Sequence, residues 1–129
     1  MGLLTMTAQS TTVNSFPRHY RMITASDYRQ VFSKPKRVST PELLFLFSSN
    51  QQPDSRLGLA IAKKQLPLAV DRNRVKRLVR ESFRIKRSEL SSLDIVVMAR
   101  KSLLNMDNTE IRLQLDKLWR QVIRKGKAL

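Results

Sequence analysis

The order of helical and strand patterns in this chain predicts a two-layer α/β (α+β) sandwich, with helices packed on a mixed four-stranded sheet. Three observations support this fold class. Apolar residues recur at helical spacing in three segments, and short apolar runs of strand length lie around them. The 129 residues are enough for one domain but too few for two independent cores. The predicted element order is α-β-β-β-α-β-α.

The first helix is predicted over residues 24–33, because Thr24 and Asp27 have the spacing of a capping box. Side chains at i, i+3 and i+4 share one of its faces, namely Tyr28, Val31 and Phe32. Residues 1–15 are rich in Thr and Ser, show no periodicity and are predicted to be a mobile extension. A single domain is expected over 16–125, followed by a short tail at 126–129.

Three strands are predicted next. The basic segment 36–38 lies between two prolines, which is typical of an edge strand. Residues 43–47 are apolar on both faces, as in a central strand covered on each side. Residues 56–62 alternate in size, so that Leu57, Leu59 and Ile61 point to the core. The small residues between them leave a shallow face that a bulky group can approach.

The second half of the chain predicts a long helix, a strand and a final helix. The helix over residues 67–87 has a buried stripe at Val75, Leu78, Val79, Ser82 and Phe83. Residues 94–99 form a short apolar strand. The final helix is predicted to begin at Asp107 and to end near Gly126. Trp119 lies near its apolar stripe and is expected in the core.

The charge of the chain predicts a large polyanion as its partner. Lys and Arg total 25 against 10 Asp and Glu, a net charge of +15, while 41% of the residues are hydrophobic. A folded core with this much positive charge repels itself, and nucleic acid is the first expectation. With no cysteine and one histidine, disulfides, Cys-ligated zinc, thiol nucleophiles and a His-based metal cluster are excluded. The sequence shows neither a secretory signal nor a membrane span, which predicts a cytoplasmic protein without a membrane partner.

The positive charge concentrates in residues 72–87, where eight of sixteen residues are basic and only Glu81 is acidic. Arg72, Lys76, Arg80 and Arg84 are spaced by four and form a cationic row on a helix. A solvated helix face and a membrane-surface helix are the alternatives. No interleaved acids neutralise the row, and the bulky apolar residues are expected in the core, so contact with nucleic acid is favoured. Lys63 and Lys64 are expected to extend the same surface.

No catalytic or metal-ligating residue is predicted. A protein that hydrolyses a phosphodiester alone needs clustered carboxylates or a histidine pair. The acids are scattered, and Asp27, Asp71 and Asp107 lie where helix capping explains them. His19, beside Arg18, is interpreted as an RNA-contacting or surface residue.

The motif RNRxKRxxR at residues 72–80, preceded by LGLAIAKK at 57–64, resembles the signature of the bacterial ribonuclease P protein subunit. The similarity is greatest to the form found in enteric-type proteobacteria, and it covers roughly residues 16–124. Further matching segments lie at 16–18, 26–32, 80–84, 94–97 and 117–119.

The resemblance implies a left-handed crossover between the third and fourth strands. It implies a holoenzyme that removes the 5′ leader of precursor tRNA, in which an RNA subunit performs the hydrolysis with Mg²⁺ and the protein holds no metal tightly. The expected partners are this RNA subunit and the single-stranded leader, and no protein partner is predicted.

Residue by residue, the resemblance assigns two sites. By the resemblance, six residues would contact the RNA subunit, namely Arg72, Asn73, Arg74, Lys76, Arg77 and Arg80. The charge pattern places Lys63, Lys64 and Arg84 on the same surface. A cleft lined by Tyr28, Phe32, Leu44 and Leu46 would hold the leader. A ribosomal-type structural RNA-binding protein and a self-sufficient small nuclease remain the alternative hypotheses.

Overall fold

A computed structural model of the chain describes residues 20–21, 24–90 and 92–127. In chain order, the elements are α1 (Ala25–Ser33), β1 (Lys36–Ser39), β2 (Leu43–Ser49), β3 (Arg56–Leu59), α2 (Ala69–Lys86), β4 (Leu93–Ala99) and α3 (Asn108–Gly126). Short 3₁₀ helices follow α2 at Arg87–Glu89 and β4 at Lys101–Asn105. The predicted element order is confirmed. The predicted extension at 1–15 and His19 lie outside the described residues.

The four strands form one mixed sheet in the order β1-β2-β4-β3. Strands β1, β2 and β4 pair antiparallel, whereas β3 and β4 are parallel neighbours. Because β3 and β4 are parallel, the chain must cross over between them, and α2 makes this crossover. The α+β class with a mixed four-stranded sheet is therefore confirmed, while the left hand of the crossover stays a prediction.

Local capping interactions explain where two of the helices begin. Thr24 Oγ1 accepts from the Asp27 backbone N–H at 3.1 Å, and Asp27 Oδ2 accepts from the Thr24 N–H at 3.2 Å. Asp107 and Glu110 form the same reciprocal pair at the start of α3. The capping box predicted at Thr24 and the start of the final helix predicted at Asp107 are both confirmed. At α2 the N-cap is Leu68, without a side-chain cap, and Asp71 lies in the first turn.

The main core lies between one face of the sheet and helices α2 and α3. Trp119 is fully buried there, as predicted, with its ring 4.6 Å from that of Phe45 and 5.6 Å from that of Phe83. Its indole N–H donates to Ser82 Oγ at 2.8 Å. The predicted stripe position Ser82 therefore satisfies the polar atom of this core tryptophan, as a buried indole requires.

Strand β3 is shorter than its alternating pattern suggested. It ends at Leu59, and one more ladder bond runs from the Ala60 N–H to the Val97 carbonyl. The chain then leaves the sheet, because the N–H groups of Gln65 and Leu66 bond the Ala62 carbonyl in a turn. The predicted strand end at Ala62 and helix start at Pro67 were therefore wrong by a few residues. The predicted orientation of the large side chains toward the core was right, since Leu57 and Ile61 are buried in the main core.

The segment before α1 adds a short contact that the sequence patterns did not indicate. Arg21 forms an isolated parallel bridge with Leu57 of β3. The bridge uses backbone atoms and leaves the Arg21 side chain exposed. It places Tyr20 and Arg21 at the β3 edge of the sheet.

An ion pair joins β3 to β4 and α1. Asp94 of β4 is 2% exposed and accepts from Arg56 Nε at 2.9 Å and Nη2 at 2.7 Å. The Asn50 side-chain amide donates to the same carboxylate at 2.9 Å. Arg56 Nη2 also lies 3.4 Å from Asp27 Oδ1. One guanidinium thus connects three elements, and these carboxylates raise the pKa of Arg56.

Candidate nucleic-acid interface

Two arginines of the RNR motif are hydrogen-bonded within the protein. Arg72 donates from Nη1 to the carbonyl oxygens of residues 66–67, both at 2.8 Å. Arg74 donates from Nε to Asn108 Oδ1 at 2.7 Å and from Nη2 to the Met106 carbonyl at 2.9 Å. These bonds hold the turn before α2 and the start of α3 against the helix. Each guanidinium keeps further donors, so RNA contact at these arginines stays a prediction.

Two more cations at the end of the basic segment have partners. The guanidinium carbon of Arg87 lies 4.4 Å from the ring centroid of Tyr20, in a cation–π contact. Lys86 Nζ lies 3.1 Å from Asp116 Oδ1 on α3. The residue that follows α2 therefore contacts the segment before α1, and the last residue of α2 contacts α3.

The remaining basic side chains of the segment form the cationic face, defined as Lys76, Arg77, Arg80 and Arg84. Within the described ranges, none of them has an ion pair, a hydrogen bond or a ring contact with a side chain. Glu81 does not neutralise them, because it pairs with Arg112 of α3 at 3.8 Å. The face spans about 12 Å at 1.5 Å per residue. It presents uncompensated charge to a polyanion.

Desolvation and repulsion between neighbouring cations lower the pKa of two residues of this face, Lys76 and Arg80. For Lys76, desolvation is the largest cause of a lowered pKa, and Arg80 and Arg72 lower it further. For Arg80, whose surface is exposed overall, crowding of the guanidinium by protein atoms lowers the pKa most, and Arg21 adds to this. Tyr28 acts on Arg80 in the opposite direction. An anion beside these groups would replace repulsion by attraction.

The other predicted RNA-subunit residues lie near the start of α2. Lys63 and Lys64 are exposed in the turn that precedes the helix, and Asn73 is exposed in its second turn. They are placed to extend the surface at its N-terminal end.

The predicted leader cleft lies on the other face of the sheet, below α1. Val31 of α1 is buried against Leu46 and Val96, with Tyr28 and Leu44 partly buried around them. Leu46 is only 9% exposed and supports α1 from below rather than presenting free surface.

The residues that line the accessible surface of this cleft differ from the four residues predicted from the sequence. Phe32 is 44% exposed, so it is not a core anchor. Met98, paired in register with Leu44, and Ala60 are partly buried in the same cluster and complete the floor. Strand register places Met98 there, and no sequence pattern indicated it. The shallow face predicted around Ala60 is part of this floor.

The chain was compared with protein-family models and with known proteins. A family model described as Ribonuclease P matches residues 16–123. The chain belongs to the ribonuclease P protein family. It is 49% identical over 109 residues to the ribonuclease P protein component of Histophilus somni strain 2336, covering 84% of this chain and 92% of that protein. It is 44% identical over 107 residues to the component from Escherichia coli O157:H7, covering 83% and 90%.

Solved structures of family members share the fold. The ribonuclease P protein from Staphylococcus aureus superposes with a TM-score of 0.74 at 29% identity, covering 80% of this chain and 94% of that one. The Thermotoga maritima protein gives 0.67 at 32% identity, covering 78% and 96%. This chain is therefore the RNA-binding subunit of ribonuclease P, part of a tRNA 5′-processing endoribonuclease whose partner is an RNA subunit. The ribosomal-type alternative is not favoured.

Two further observations concern the described residues only. They contain no group of three or more His, Cys, Asp or Glu side chains that could hold a metal ion. They also contain no helix of sufficient length and apolar character to cross a bilayer.

Lys76 gives the RNA complex an expected pH dependence. Its lowered pKa means that the charged form is disfavoured in the free protein, so charged Lys76 opposes folding at neutral pH. This opposition disappears as the pH rises toward the ordinary lysine value of about 10.4. A neighbouring phosphate raises the pKa again, so RNA binding should take up protons at alkaline pH, and affinity should fall as the pH rises.

Calorimetry of RNA-subunit binding in two buffers of different ionisation enthalpy measures this uptake. Lys76→Arg is the matched control, because arginine stays charged throughout the range. Equal proton uptake by the wild type and Lys76→Arg would show that no phosphate lies beside Lys76.

Proposed function

We propose that the subunit binds the backbone of the ribonuclease P RNA through the cationic face of α2. The observation that supports this most directly is that Lys76, Arg77, Arg80 and Arg84 have no counter-charge within the described residues. All ten acidic residues of the chain lie in these ranges, so no other acidic side chain is available to neutralise the face. Arginine offers planar donor pairs that match phosphate oxygens. Contacts of this kind position an RNA without reading its sequence.

The cleft below α1 is proposed to hold the single-stranded 5′ leader of precursor tRNA. Tyr28 is partly buried and Phe32 is exposed on the same face of α1, above a floor that includes Leu44 and Met98. Unpaired bases stack on aromatic rings and apolar surface, whereas paired bases cannot reach them. Tyr28 and Arg80 interact electrostatically, which supports a cleft that adjoins the cationic face.

Hydrolysis is assigned to the RNA subunit and to Mg²⁺ bound there. Four of the carboxylates are already engaged within the protein and do not converge on a magnesium site. Asp27 and Asp94 share Arg56, Asp116 pairs with Lys86, and Asp107 caps α3. The contribution of the protein is to bind and orient the two RNAs.

Tyr28→Ala should weaken the affinity of the holoenzyme for precursor tRNA and leave its affinity for mature tRNA nearly unchanged. Removing the ring removes one stacking surface, worth about 1–3 kcal/mol per base. The measured quantity is the ratio of the two affinities in the wild type and the variant.

Tyr28→Phe is the matched control, because it keeps the ring and removes only the hydroxyl. Circular dichroism and thermal unfolding check that the fold is retained. If Tyr28→Ala lowers the affinity for precursor tRNA and for mature tRNA equally, Tyr28 acts through the structure of α1, and the cleft does not hold the leader.

A further inference from the structure

The cleft below α1 runs across the strands of the sheet. Near the start of α1, Asp27 Oδ1 lies 3.4 Å from Arg56 Nη2 of β3. At the other end of the helix, only residues 34 and 35 separate α1 from β1. The helix therefore extends from the β3 edge to the β1 edge, and it packs mainly on β2 and β4, the two strands between these edges. A single strand of RNA that lies along α1 would pass from one edge of the sheet to the other.

Strand register places Arg37 at the β1 end of the cleft floor. Arg37 is paired in register with Leu46, which belongs to the cluster below α1. Ser39 is paired in the same way with Leu44 of that cluster. Val38 lies between them in the sequence and is buried in the main core, on the opposite face of the sheet. Because successive side chains of a strand alternate between its faces, the Arg37 side chain lies on the face of the cleft.

The guanidinium of Arg37 is available to bind an anion. The side chain is exposed, and within the described part of the chain it has neither an ion pair nor a hydrogen bond. The backbone carbonyl of Arg37 accepts from Lys125 Nζ at 3.3 Å, which ties the strand to α3 without using the side chain. Glu42, the acidic residue between β1 and β2, accepts from Gln114 Nε2 of α3 at 3.0 Å.

The opposite end of the cleft floor adjoins the surface that is predicted to bind the RNA subunit. Ala60 follows β3 and belongs to the cluster below α1. Lys63 and Lys64 come a few residues later, in the turn before α2. Because hydrolysis is assigned to the RNA subunit, the leader nucleotides next to the cleavage site are expected at this β3 end. Nucleotides farther toward the 5′ end of the leader would then lie toward β1.

We propose that Arg37 binds a phosphate of the 5′ leader where the leader leaves the cleft at the β1 edge. The leader would cross β3, β4, β2 and β1 in this order, with its 5′ end beyond β1. A guanidinium supplies planar N–H donors that phosphate oxygens accept, and a contact of this kind holds the strand without reading its sequence. The inference rests on the proposed binding of the leader in the cleft, and it adds a binding residue and a direction. Arg37 would act only on leaders that are long enough to reach β1.

The test measures the affinity of the assembled holoenzyme for precursor tRNAs whose leaders are shortened from the 5′ end, nucleotide by nucleotide. For the wild type, the affinity should rise with leader length to a plateau. Arg37→Gln should match the wild type for short leaders and for mature tRNA, and it should reach its plateau at a shorter leader. Its plateau affinity should be lower by about fivefold at 0.1 M salt, because one lost phosphate contact of a single strand reduces the slope of log affinity against log salt by about 0.7.

Lys36→Gln is the matched control, because it removes one exposed positive charge from the preceding residue of the same strand. Lys36 is paired in register with Phe47 of the main core, so it lies on the face opposite the cleft. This variant should keep the wild-type affinity at every leader length. Arg37→Gln breaks no hydrogen bond of the described structure, since the bond from Lys125 uses the backbone carbonyl. Its melting temperature should therefore equal that of the wild type.

Equal affinities of Arg37→Gln and Lys36→Gln at every leader length would overturn the site. A loss by Arg37→Gln that is the same for mature tRNA and for every leader would also overturn it, because the effect would not depend on the leader reaching β1. If the affinity of the wild type itself does not rise with leader length, the cleft does not hold the leader and the proposed function fails. The two failures are therefore distinguishable.

Discussion

Asp94→Ala is expected to lower the free energy of unfolding by about 3 kcal/mol, the largest stability effect that we anticipate from one substitution. Removing one partner of a buried ion pair costs about 3–5 kcal/mol, because the other charge is left without compensation. The lower end applies here, because Arg56 keeps 21% side-chain exposure and its contact with Asp27. Urea denaturation of the free protein measures the difference.

Asp54→Ala is the control, because it removes the same charge from an exposed position in the loop before β3. Replacing both partners by apolar residues, as in Arg56→Met with Asp94→Leu, should recover part of the loss. If Asp94→Ala unfolds at the same urea concentration as Asp54→Ala, the ion pair does not hold β3, β4 and α1 together.

The largest functional effect is expected from Arg77→Ala combined with Arg84→Ala. Both side chains are exposed and lack partners among the described residues, so their removal should spare the fold. Two lost phosphate contacts should reduce the slope of log affinity against log salt by roughly 1–2 units and weaken RNA-subunit binding by about 30-fold at 0.1 M salt. Binding titrations over a range of salt concentrations give both quantities.

Lys117→Ala with Arg124→Ala is the matched control, since it removes two exposed cations from α3. Arg74→Ala is unsuited to this test, because it also breaks the bonds to Asn108 and to the Met106 carbonyl. If the folded Arg77/Arg84 variant keeps the wild-type slope of log affinity against log salt, this side of α2 faces solvent and does not contact the RNA.

The features that were predicted correctly from the sequence depend on residues that lie close together along the chain. The capping box at Thr24 and Asp27 is a local hydrogen-bond pattern, so two residues three positions apart were enough to place the start of α1. The stripe of α2 and the burial of Trp119 follow from helical spacing. The end of β3 could not be placed this way, because the turn that takes the chain into α2 begins within an apolar run.

Features that join distant residues were not accessible from spacing. Arg74 bonds a residue 34 positions away, and Asp94 pairs with Arg56 across 38 positions. The basic motif at residues 72–80 does not show that two of its arginines, Arg72 and Arg74, are hydrogen-bonded within the protein. In the described structure, the residues of the cationic face have no hydrogen-bond partners of this kind. Met98 entered the cleft through strand register, and Arg21 reached Leu57 at the edge of the sheet through a single bridge.

The rate of leader cleavage from labelled precursor tRNA by the ribonuclease P RNA at low Mg²⁺ tests the central claim most directly. The account predicts that the wild-type protein and the Lys117/Arg124 variant stimulate cleavage. A folded variant with all four cationic-face residues changed to Gln should not, and the protein without RNA should leave the substrate intact. Stimulation by the four-residue variant at the wild-type level, or cleavage by the protein alone, would contradict the account.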